Sequence, residues 1–141
     1  MIFVRLLIPD VLVKEVIEHA RQTQPNECCG LLAGHIRDST GVVTTCFPIK
    51  NALASTTEYE TDARDMLFAF RHMREHDIEL LAVYHSHLTT APVPSARDME
   101  RNTYGESVVH LIVSLADTEP VVKGWWLGET SYREAECVVE E

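Results

Sequence analysis

The apolar positions of this chain change their spacing several times, and each change marks a new element. Phe3 to Ile8 is apolar apart from Arg5 and reads as a first strand. Pro9 and Asp10 then introduce a helix from about Val11 to Thr23. In it Val13, Val16, Ile17 and Ala20 recur at helical spacing and give one buried stripe. Leu31-Leu32-Ala33, bounded by Gly30 and Gly34, predicts a strand over Glu27 to His35. Arg37 to Gly41 is a turn, and Val42 to Ile49 returns as the hairpin partner. A polar link through Ser55-Thr56-Thr57 leads to a short extended piece at Tyr59. A second helix spans Ala63 to Glu75, with Met66, Leu67, Phe70 and Met73 as its expected apolar face. Ile78 to His85 is the central strand, and Ser95 is suited to cap a short helix running through Asn102. Val108 to Leu115, Val121 to Leu127 and Tyr132 to Val138 close the chain as three strands. This order predicts an α/β fold, a mixed sheet with helices packed around it.

Composition narrows the picture. At 141 residues and 45% hydrophobic, the chain has the material for one domain with its own core, and no repeat or linker divides it. No apolar run approaches the roughly 18 residues of a membrane span. The start, Met1-Ile2-Phe3-Val4-Arg5, lacks the pattern of a signal peptide, so a cytoplasmic location is expected. A formal charge of -10 disfavours phosphate backbones and suits a protein substrate or partner. Cys28, Cys29, Cys46 and Cys137 contain no Cys-x-x-Cys pair, which argues against a thiolate zinc site. Reduced, buried thiols are expected, although spacing leaves a disulfide open. The oligomeric state is open as well, a homo-oligomer being compatible with the sequence.

The candidate chemistry lies where the central strand ends. His85 and His87, two residues apart, point to one side of a strand. Seven residues separate His87 from Ser95, and two separate Ser95 from Asp98. A loop of that length, stiffened by Pro92 and Pro94, brings the Asp98 carboxylate back toward the imidazoles. Two histidines and one carboxylate are a zinc set that leaves a fourth position for water. Ser86 faces the opposite side of the strand and is assigned a structural part. His19, His35, His72, His76 and His110 lack a matching spacing.

The pattern His-x-His-x7-Ser-x2-Asp resembles that of the JAMM (MPN-plus) zinc metalloproteases. Their upstream Glu, ahead of a Gly-containing apolar strand, is matched by Glu27 in Pro25-Asn26-Glu27-Cys28-Cys29-Gly30. The resemblance implies a deaminase-like α/β architecture over residues 1–141, with Zn2+ held by His85, His87 and Asp98. It further implies Glu27 as the group that takes a proton from water and returns it to the departing amine. Ser95 is implied as the oxyanion donor. Asn51 falls where the family often has Asn. The chain departs from many members in carrying Leu88 where they have Pro after the second His, so the loop entry is expected to be less rigid. Only nine residues lie between Asp98 and Val108, leaving little room for long insertions. That brevity resembles the bacterial branch acting on small ubiquitin-like sulfur carriers, and implies hydrolysis after a carrier's C-terminal Gly-Gly.

Two other functions are compatible with an α/β chain of this length. A catalytically silent scaffold of the same fold typically lacks one or more ligands, whereas all are present here. A zinc nucleobase deaminase expects His-x-Glu followed by Pro-Cys-x-x-Cys, and the chain has neither.

Overall fold

In the computed structural model, which describes residues 2–141, the elements run β1 (Arg5–Pro9), α1 (Asp10–Thr23), β2 (Cys29–Arg37), β3 (Thr40–Ile49), α2 (Ala63–Glu75), β4 (Glu79–His87), α3 (Ala96–Glu100), β5 (Val109–Ser114), β6 (Val121–Leu127) and β7 (Tyr132–Glu140). The α/β order read from the sequence is thus present, with strand ends shifted by a residue or two. The sheet is mixed and closes on itself in the order β1-β3-β2-β4-β5-β6-β7. Closure comes from the parallel pairing of β1 with β7, Arg5 opposite Glu136 and Pro9 opposite Glu140. The β2–β3 hairpin turns at Asp38 and Ser39, both at positive φ, the backbone that a tight two-residue hairpin turn requires.

β2 and β4 lie side by side, antiparallel, and are covered on both faces. That is why each reads as an unbroken apolar run rather than an alternation. On one face, Leu32, Leu81 and Tyr84 pack with Val16 and Ala20 of α1. On the other, Leu31 and Val83 pack with Ala69 and Met73 of α2. Gly30, opposite Tyr84, must be glycine because a β-carbon there would run into the Tyr84 ring. The tyrosine hydroxyl in turn pairs with His19 Nδ1 at 2.7 Å, which accounts for that histidine.

The second helix keeps its predicted bounds but not its predicted face. Met73 is buried and Met66 partly so, yet Leu67 is 63% and Phe70 39% exposed. The stripe that touches the sheet is Met66, Ala69 and Met73, spaced three and four residues apart. It is centred on a small residue, which leaves the larger apolar side chains on the flank. All four cysteines are free thiols. Burial pushes Cys28 and Cys137 up to about 11 and Cys29 and Cys46 up to about 12, so none is a ready nucleophile. Among the described residues no helix is long and apolar enough to cross a membrane.

Candidate metal centre

β4 runs past its apolar stretch into His85-Ser86-His87, and the pleat divides the three residues as expected. Ser86 turns the other way, where its hydroxyl accepts the Cys28 N–H at 2.8 Å and ties β4 to the entry of β2. The two imidazoles face together, with Nε2 atoms 3.2 Å apart. Asp98 reaches both, Oδ1 lying 3.2 Å from His85 Nε2 and Oδ2 3.2 Å from His87 Nε2. Tetrahedral ligands around zinc, with bonds of about 2.05 Å, stand roughly 3.3 Å from one another. The three side chains therefore fit zinc in both donor type and spacing.

The surroundings prepare these donors. His87 Nδ1 donates to the Ala91 carbonyl at 2.9 Å, which fixes the ring with Nε2 facing His85 and Asp98. His85 is 1% exposed and stacks on Tyr59 with ring centroids 4.9 Å apart, so its ring cannot swing away. Asp98 sits at the third position of α3. There Ser95 and Asp98 form a reciprocal cap, Ser95 N donating to Oδ2 at 2.9 Å and Asp98 N donating to Ser95 Oγ at 3.1 Å. Burial opposes charge on Asp98, but the hydrogen bonds from the two histidines outweigh it and hold the carboxyl well below its usual range. Burial likewise opposes charge on His87, and Asp98 with the Ala91 carbonyl outweighs it, so that imidazole keeps its proton more tightly than usual.

Glu27 is not the exposed strand-start acid that its position alone would suggest. It is 7% exposed and borders the same cleft of about 190 Å³ as His87, Ser95 and Asp98. Burial is the main cause that lifts its carboxyl to about 7. The nearby His87 works against that rise and Asp98 adds to it. Its main chain is held from both sides, the N–H donating to Ser55 O at 2.8 Å and the carbonyl accepting from Asn51 Nδ2 at 3.0 Å. Asn51, matched only by position in the sequence, also binds Glu58 O, Leu53 N and Glu60 N, and so clasps the whole 51–60 segment. That segment lines the cleft through Thr56 to Tyr59, and Leu88 to Thr90 lines it as well.

The 88–94 loop is anchored without a proline at 88. Ser114 Oγ donates to Thr90 O at 2.6 Å, and Trp125 Nε1 donates to Pro92 O at 2.8 Å. These anchors, with Tyr59 and the Glu58–Arg97–Arg101 cluster, were not found by sequence reasoning. They join segments distant in the chain and carry no local signal. His110, on β5 beside His85's strand, is buried and lowered to about 4, chiefly by that burial, so it is neutral at physiological pH.

Residues 9–128 match the family described as prokaryotic homologs of the JAB domain. The chain is 33% identical over 112 residues to the CysO-cysteine peptidase of Mycobacterium tuberculosis, covering 79% of this chain and 75% of that one. It is 29% identical over 139 residues to the Desampylase of Pyrococcus furiosus, covering 98% and 93% of the two chains. A solution structure of a Desulfitobacterium hafniense protein superimposes with a TM-score of 0.87 at 32% identity, over 96% of this chain and 93% of the other. With the family matched over most of its length and relatives of this kind spanning it, the chain belongs to the prokaryotic JAB (JAMM-type) peptidase family.

Proposed function

We propose that residues 1–141 form one JAMM/MPN-plus domain, a cytoplasmic zinc metallopeptidase and isopeptidase. Its reaction is hydrolysis of the amide bond after the C-terminal Gly-Gly of a small ubiquitin-like sulfur carrier. The observation that carries this reading is the convergence of His85, His87 and Asp98, whose donor atoms lie within 4.8 Å of one another beside a buried carboxylate, Glu27. Zinc, when bound, acidifies a water and polarises the scissile carbonyl. Glu27 is placed to take a proton from a water in the cleft and deliver it to the departing amine, work that suits a carboxyl raised to about 7. The Ser95 oxygen already accepts from Asp98 N, which leaves the hydroxyl hydrogen free to donate to the developing oxyanion.

The cleft supports the substrate assignment. It is smaller than the roughly 300–1,000 Å³ of a typical small-molecule site and is lined by two loop segments. A Gly-Gly tail lacks β-carbons and passes through such a space extended. The test is incubation with carriers extended beyond Gly-Gly, read by intact mass, beside versions with bulky residues in place of the glycines. Release of only the extension, and only from the Gly-Gly carriers, is expected. Equal cleavage of the bulky versions would remove the substrate assignment.

A further inference from the structure

We infer that Arg97 is a specificity-determining residue that binds the free α-carboxylate of a single amino acid attached after the Gly-Gly. The inference rests on the peptidase reading above and selects one kind of leaving group. On this chain of net charge -10, two guanidiniums border the cleft, Arg97 and Arg101, and the carboxylate between them is Glu58. Arg101 is committed to the wall itself. Its Nη1 donates to Tyr59 O at 3.1 Å and its Nη2 to Glu58 Oε1 at 3.4 Å. Arg97 pairs with the same Glu58 oxygen through Nη1 and is half exposed, as Arg101 is, but it has no hydrogen bond to the wall's main chain among the described residues. A guanidinium carries five N–H donors in a planar fork, so that one contact leaves several donors for a second carboxylate.

Position decides what that carboxylate is. Arg97 directly precedes Asp98 and follows Ser95 by two residues, so it stands beside the groups that would hold the scissile carbonyl. When the leaving group is an α-linked amino acid, its carboxylate is separated from the scissile nitrogen by a single carbon. It must then lie next to the reacting centre, in the cleft that Arg97 borders, where a guanidinium can pair with it. When the leaving group is a lysine side chain joined as an isopeptide, no carboxylate stands there. Arg97 therefore favours the release of single amino acids over the release of isopeptide-linked proteins.

The experiment uses the zinc-loaded protein and a ubiquitin-like carrier ending in Gly-Gly, extended by one alanine and made as free acid and as carboxamide. The wild type is expected to cleave the acid roughly ten- to a hundred-fold faster in kcat/KM, the worth of a charge-assisted pair. Arg97→Gln should bring the acid-to-amide ratio close to one, and Arg97→Lys should restore part of it. The same preference should appear in Kd when Glu27→Gln protein is titrated with both carriers, a readout independent of turnover. A wild-type ratio near one, or a ratio unmoved by Arg97→Gln, overturns the inference and leaves the peptidase reading standing. Cleavage of neither carrier, with no binding by the Glu27 variant, overturns both.

Discussion

Glu27 and Ser95 are both close to Asp98, yet their replacement should separate cleanly. Glu27→Gln removes the proton acceptor without touching a metal donor, so zinc content should hold while turnover falls by about 10²–10⁴-fold. Ser95→Ala takes away one oxyanion donor and also one half of the α3 cap, so a loss on the order of 10² in kcat should come with a small drop in stability. Metal analysis and steady-state rates on the two variants check this, and full activity in the Glu27 variant would mean another base. Zinc affinity should also depend on pH through His87. Its proton is held more tightly than usual, and it must leave before the nitrogen can bind metal. Affinity is therefore lost as pH falls through the raised His87 value, and competition titrations over a pH series running upward from 6.5 measure it. The convergence of His85, His87 and Asp98 was legible in the sequence because they lie within fourteen residues, on one strand and on the short helix after its loop. The burial of Glu27 was not, because Ser55 and Asn51 create it from a segment more than twenty residues away.

At the scale of the elements, the site depends on two clasped loops. Asn51→Ala removes four hydrogen bonds that hold the 51–60 wall and the Glu27 carbonyl. Unsatisfied buried groups of that kind make a loss of about 2 kcal/mol or more the expected outcome in chemical denaturation, together with weaker substrate binding. Trp125→Phe keeps one aromatic ring but removes the N–H that holds Pro92, so it should loosen the 88–94 return as well as leave space beside Ile112 and Leu127. Element types followed from periodicity, and α2 has the bounds predicted for it. Its contact face did not follow, since period alone does not say that Ala69 rather than Phe70 meets the sheet.

Across the whole molecule, the candidate metal site joins β4, between β2 and β5 of the closed sheet, to the short helix α3. α3 has no buried residue of its own and stands on its cap, its arginine pairs and Asp98. Zinc binding only the folded chain should raise the melting temperature with the logarithm of its concentration above Kd. The gain is about 2.7 kcal/mol at a hundred times Kd, and a chelator should reverse it. Closure of the sheet escaped the sequence reading for a related reason of scale. The β1–β7 pairing joins the two ends of the chain, and parallel partners so far apart leave no turn signal between them.

The central claim is that His85, His87 and Asp98 hold one zinc ion. The most direct measurement is the metal content of the purified wild type beside His87→Ala and Asp98→Ala, by elemental analysis after dialysis. About one zinc per chain in the wild type, and little or none in either variant, is the predicted result. Zinc undiminished in both variants would contradict the coordination proposed here.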